Sequence, residues 1–119
     1  MNCLNPLSES VAESIAGVHL LLANIPVTAQ YEVHDQAGRL LGRADFRVDD
    51  SDLLLEVDGK VKYAGDDRRS PQDIVFAEKR REDGMRGEGW RFARIYWDDV
   101  IRRERLLSKV KTALGRRLA

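Results

Sequence analysis

The chain has 119 residues, 43% of them apolar and 34% charged, with twenty Lys and Arg set against twenty Asp and Glu. This composition argues against a disordered protein and for one folded domain, 1–119, with a real but modest core. The charge is unevenly spread: the first 30 residues hold Glu9 and Glu13 and no Lys or Arg, whereas residues 98–119 hold seven Lys and Arg against three acids, so a neutral total leaves room for a basic face toward a polyanion. Cys3 is the only cysteine, which excludes an internal disulfide and a thiolate zinc cluster. The start lacks the basic residues and long apolar run of a secretory signal, and the apolar stretch from His19 to Ile25 is too short to span a membrane, so a cytoplasmic protein without membrane partners is expected.

Ser8 is placed to cap a helix reaching Ala23, with Val11, Ile15, Val18 and Leu22 as its apolar stripe, ended by Asn24-Ile25-Pro26. Thr28–His34 reads as a strand, Asp35-Gln36-Ala37-Gly38 as a hairpin turn, and Leu40–Val48 as a second strand. Asp49-Asp50-Ser51 turns the chain into a third strand, Leu53–Asp58. After a polar loop from Tyr63 to Arg69, Ser70-Pro71-Gln72-Asp73 starts a helix running to Gly87: serine caps, proline takes the first helical position, and the acid follows three residues after the cap. Trp90–Trp97 is the fourth strand. Asp98 then caps one last helix with Val100, Leu107, Val110, Leu114 and Leu118 on its apolar side. The order α-β-β-β-α-β-α predicts an α/β domain with a mixed sheet flanked by helices.

The chemistry concentrates in Leu53-Leu54-Leu55-Glu56-Val57-Asp58-Gly59-Lys60. In a strand, Glu56, Asp58 and Lys60 share one face. Two adjacent carboxylates repel, and their burial calls for a counter-charge, commonly a divalent cation. The competing reading is a strand with one solvated face. Asp45, in Arg43-Ala44-Asp45-Phe46, lies on the preceding strand, and adjacent strands bring such positions together.

An acid on one strand followed by acid-x-acid-x-lysine on the next resembles the PD-(D/E)xK nuclease superfamily. Five blocks, Ser10–Ser14, Arg43–Phe46, Glu56–Tyr63, Glu78–Asp83 and Gly89–Arg94, are similar to one branch of it, the endonuclease-like domain related to very-short-patch repair endonucleases, found also in the C-terminal half of actinobacterial abortive-infection-antitoxin-like proteins. The resemblance implies a restriction-endonuclease-like fold. It makes Glu13 the helical glutamate, Asp45 the motif aspartate, Glu56 or Asp58 the second-strand acid, and Lys60 the lysine if Asp58-Gly59-Lys60 is the D-x-K. Glu56-Val57-Asp58 has no lysine at its third place, so the register stays open, and the cysteines and histidines of the repair enzymes' zinc site are missing.

The implied site has Asp45, Glu56, Asp58 and Lys60 as catalytic groups and Glu13, Asp45, Glu56 and Asp58 as ligands of Mg²⁺ or Mn²⁺, a hard ion suited to carboxylates. Such an ion stabilises charge on the phosphorane and activates a water, and the lysine assists at the phosphate. Lys62 shares the Lys60 face if the strand continues. The run Glu78-Lys79-Arg80-Arg81-Glu82 reads first as a solvated, ion-paired face and second as phosphate contacts through Lys79 or Arg80. Trp90, Phe92, Tyr96 and Trp97 are expected in or at the edge of the core, His19 as a core histidine with its hydrogen bonds made, and His34 in solvent. Two functions follow: a metal-dependent nuclease acting on DNA, as a homodimer or with a separate recognition partner, or a non-catalytic nucleic-acid-binding or regulatory module that kept the fold.

Overall fold

The structure, a computed structural model, describes residues 6–59 and 71–115, with side chains from residue 10 and, in the second stretch, from residue 75. Cys3, Lys60, Lys62, the Tyr63–Arg69 loop, Ser70 and Leu118 lie outside the described residues. Among the described residues eight elements follow one another: α1 (Pro6–Leu22), β1 (Val27–His34), β2 (Leu40–Val48), β3 (Leu53–Asp58), α2 (Pro71–Gly87), β4 (Arg91–Tyr96), α3 (Trp97–Ile101) and α4 (Arg103–Gly115). The sheet order is β1-β2-β3-β4. The first three strands form an antiparallel meander and β4 runs parallel to β3. The chain is therefore α/β with a mixed sheet flanked by helices.

The β1–β2 hairpin closes as its turn residues dictate. Asp35 Oδ1 accepts the Ala37 and Arg39 amides at 2.9 and 2.8 Å, and Gly38 supplies the positive φ of 87°. β3 is the axis of the sheet. Leu53, Leu55 and Val57 face one core with Ala12, Ala16 and Leu20 of α1, Val100 of α3 and Leu106 and Val110 of α4. Leu54 faces a second, smaller core with Val33, Ala44 and Met85 of α2, edged by Tyr31, Leu41, Trp90 and Phe92.

The alternation is broken in one place. Along β2, Phe46 and Val48 lie in the first core but Ala44 lies in the second; along β1, Val27 packs on the first core but Tyr31 and Val33 on the second. Both switches fall between the pairs Ala29↔Phe46 and Tyr31↔Ala44, at Gln30 and Asp45. Gln30 has φ 54°, the left-handed conformation uncommon for a residue with a side chain. At this point the side chains of both strands change from one face to the other.

Three expectations need correction. Ser8 does not cap α1, which already begins at Pro6 and so contains Ser8. The α1 stripe is not Val11, Ile15, Val18 and Leu22: Ile15 is half-buried, but the other three are 41–63% exposed. Ala12, Ala16 and Leu20 are buried instead, and a methyl on Gly17 would stand 3.4 Å from Phe46 Cζ. The helix lies close over Phe46 at Gly17, so the small Ala12 and Ala16 face inward with Leu20, while Val11, Val18 and Leu22 turn away. The α-β-β-β-α-β-α order also gains an element, because the last helix is two. Tyr96, not Asp98, is the residue before α3, and Asp99 Oδ2 accepts its amide at 2.8 Å. Arg102 is then extended, breaking the helix. Asp99 is buried and is gripped from α4 by Lys109 Nζ at 2.8 Å and Arg105 Nε at 3.4 Å, four residues apart on one helical face. Meeting both requires α4 to fold back on α3. Lys109 also donates to the Arg94 carbonyl of β4 at 2.8 Å.

Burial alone would raise the Asp99 carboxyl, but the Lys109 hydrogen bond, the Tyr96 amide and the charges of Lys109 and Arg105 outweigh it and hold it below the ordinary value of 3.8. The stability this provides is complete above that value and is lost as pH falls through the lower folded-state value. Asp99→Asn should cost about 2–3 kcal/mol at pH 7, since a buried pair loses one partner. Urea melts should show the gap between variant and wild type closing as pH falls below about 4.

Candidate active site

The β2–β3 ladder pairs Phe46↔Leu55 and Arg47↔Leu54 and goes no further toward the Asp45 end. The Val57 amide, which a continued ladder would pair with β2 backbone, is taken instead by Asp45 Oδ2 at 2.6 Å. A side chain thus closes a gap that backbone leaves, and an acid is fixed within the sheet, within reach of groups on both faces.

From the α1 face comes Glu13. Its charge and a hydrogen bond couple it to Asp45, and its Oε1 accepts Gln30 Nε2 at 3.3 Å. From the α2 face comes the ion pair of Glu56 with Arg81. Arg81 is fixed further: Nε and Nη2 bind the two oxygens of Glu78 at 3.0 and 2.9 Å, and Nη1 approaches the Arg43 carbonyl at 3.4 Å. Gly42 makes room for it, because a Cβ there would stand 3.1 Å from Arg81 Cγ and 3.0 Å from Met85 Cε.

The electrostatics are those of crowded acids. Burial, then the charge and hydrogen bond of Glu13, raise the Asp45 carboxyl from 3.8 to about 6, against the opposing Val57 amide and Arg81 charge. Burial raises Glu56 as well; Arg81 opposes this and the charges of Asp45 and Glu78 add to it. Arg81 is raised, first by its Glu78 hydrogen bonds and then by Glu56, against burial.

Asp45 and Glu56 are thus on neighbouring strands and close enough to feel each other, with Glu13 on the far side of Asp45. Asp58 ends β3, half-buried and opposite Tyr96 in the parallel ladder. Lys79 and Arg80 are exposed on α2, and Lys79 lies 3.9 Å from Asp83. Among the described residues no three His, Cys, Asp or Glu side chains are grouped to hold a metal ion together. His19 is not the satisfied core histidine expected: its Nδ1 is buried and has no hydrogen-bond partner among the described residues. Trp90, Phe92 and Trp97 line the cores and His34 is exposed, as expected, while Tyr96 is about half exposed. Two residues escaped the reading of the sequence. Gln30 carries no signal in its surroundings. Arg81 was part of a charge run, and only Glu78 three residues before it hinted at a held guanidinium.

Comparison with protein-family models, with curated proteins and with solved structures gives no match in any of the three. Among the described residues no helix is long and apolar enough to cross a membrane.

A raised carboxyl strains the fold when ionised. The favourable state is complete below the unfolded value near 3.8 and is lost as pH rises through about 6. Asp45→Asn keeps an acceptor for Val57 and gives Glu13 a donor. It should therefore be more stable than wild type at pH 7, by about 1 kcal/mol once solvent screening of this partly exposed group is allowed for. Thermal melts from pH 4 to 7.5 should show the advantage vanish at the acid end.

Proposed function

We propose that the chain is a divalent-metal-dependent nuclease domain cleaving phosphodiester bonds of DNA, with Asp45 at the centre of its site. One observation carries the reading: at the opening in the β2–β3 ladder Asp45 is coupled to Glu13 of α1 and its charge reaches Glu56 of β3, and burial with the charge and hydrogen bond of Glu13 pushes Asp45 to about 6. Such crowding works against stability and marks functional sites more often than scaffolding. The sequence blocks resembling PD-(D/E)xK domains fall in order on α1, β2, the end of β3, α2 and β4, with residues 60–63 of the third block outside the described residues, and this order supports reading the fold as restriction-endonuclease-like.

The donor set fits a hard ion. Mg²⁺ keeps most of its water and takes one or two carboxylates, so Asp45 with Glu56 or Glu13 suffices without a cage of three acids, and Asp58 at the end of β3 is the further candidate. When bound, the ion supplies Lewis acidity and a water of lowered pKa. The chain's residues do the rest. The Val57 amide orients Asp45. Lys60, two residues after Asp58 in the chain, is the candidate for the attacking water or the scissile phosphate, with Lys62 as the alternative. Lys79 and Arg80 provide exposed positive charge for the nucleic-acid backbone.

A second reading is favoured by one specific observation: Arg81 already neutralises Glu56, as it would in a non-catalytic binding module that kept the fold. Calorimetry and plasmid nicking separate the two. The nuclease reading expects Mn²⁺ binding that Asp45→Asn removes, and metal-dependent cleavage that falls by orders of magnitude in Asp45→Asn and in the Lys60→Ala, Lys62→Ala double variant. DNA binding without either metal binding or cleavage would establish the module instead.

A further inference from the structure

We infer that Arg81 is a displaceable internal counter-cation: it holds Glu56 in the metal-free protein and competes with the divalent ion for that carboxylate, with Glu78 retaining the guanidinium when Glu56 is given up. The inference rests on the metal reading of the Asp45–Glu56 site and adds a residue and a direction of control to it.

The geometry separates the two partners of Arg81. Glu78 lies three residues earlier on the same helix and engages Nε and Nη2 together, so this bond moves with α2 and does not depend on the sheet. Glu56 is on β3, and its bond uses Nη2 alone, the nitrogen already shared with Glu78. Of the two, the Glu56 contact is the one that can be lost without stranding the guanidinium, because a fork-to-fork partner remains. Truncating a buried ion pair normally leaves an orphaned charge; here both sides have a successor, Glu78 for the arginine and the metal for the glutamate.

The position of the guanidinium is also specified. Its stem crosses β2 over Gly42, where a Cβ would stand 3.1 Å from Cγ and 3.2 Å from Nη1. Together with the Arg43 carbonyl, this keeps the group beside Asp45, whose charge it offsets in part. A purely structural clamp between α2 and β3 would need Arg81 for the fold but would not set metal affinity in a definite direction. A competitor does: removing Arg81 must tighten metal binding, and removing the carboxylate that shares it must weaken binding.

The test is isothermal titration of the full chain with Mn²⁺ at pH 7, with circular dichroism melts alongside. Arg81→Gln should bind Mn²⁺ more tightly, on the order of tenfold, because the ion no longer displaces a full positive charge. Glu78→Gln should bind it severalfold more weakly, because Arg81 is left with Glu56 as its charged partner in this cluster. Glu78 is partly exposed, so this second variant keeps the fold even if Arg81→Gln does not. Wild-type binding with equal or weaker binding in folded Arg81→Gln, or with unchanged or tighter binding in Glu78→Gln, overturns the inference and leaves the metal site standing. Failure of wild type, Arg81→Gln and Glu78→Gln alike to bind Mn²⁺ removes the metal reading itself, and the inference with it.

Discussion

The candidate site is arranged around a strand that carries nothing polar through most of its length. Leu53, Leu54 and Leu55 are fully buried, so β3 is covered on both faces, the condition of a strand in a parallel crossover with helices on either side. Glu56 is the first charged position of β3, near its carboxyl end, and it is met there by Arg81 of α2. In open α/β sheets this is the end at which ligands are bound. The location of the acids is thus a consequence of the three leucines as much as of the acids.

How much of this could be read from the chain varies with how local the cause is. The bounds of β2, β3 and α2 follow from short-range signals: alternation, Asp-rich turns, Pro71 at a first helical position and Gly38 in a turn. The structure places these elements at the expected residues. Properties set by distant partners were not legible. Which side of α1 faces inward depends on Phe46, thirty residues away in the sheet. Asp99 rather than Asp98 governs the last helical segment because Arg105 and Lys109 reach it from α4. The change of face at Gln30 and Asp45 suspends strand periodicity itself, so strict alternation mis-assigns the residues on one side of it. The candidate site was legible as a set of residue types at given spacings, but not as an arrangement: alternation gave Glu56 and Asp58 a common face of β3, but nothing in it shows that Glu13 and Glu56 approach Asp45 from opposite sides.

Gln30 and Arg81 show why such sites resist reading from sequence. Neither is an acid or a ligand, and each acts by positioning something that is. Gln30 reaches Glu13 from a strained backbone conformation, and Arg81 depends on a glycine in another element for room. Their selection is visible only when the elements are assembled, since each relation joins residues 17 or more apart in the chain.

The left-handed residue in β1 has a bearing on how copies of this protein meet one another. β1 and β4 are the two margins of the sheet, and a margin with regular, unpaired backbone invites another strand to add to it. At Gln30 the hydrogen-bonding repeat of β1 is interrupted midway, and a register shift at Val33 and His34 interrupts it again toward the turn. On β4 the Arg94 carbonyl is already occupied by Lys109. A passing strand finds no long uniform template along β1, so the same distortion that turns Gln30 toward Glu13 also breaks up that margin of the sheet.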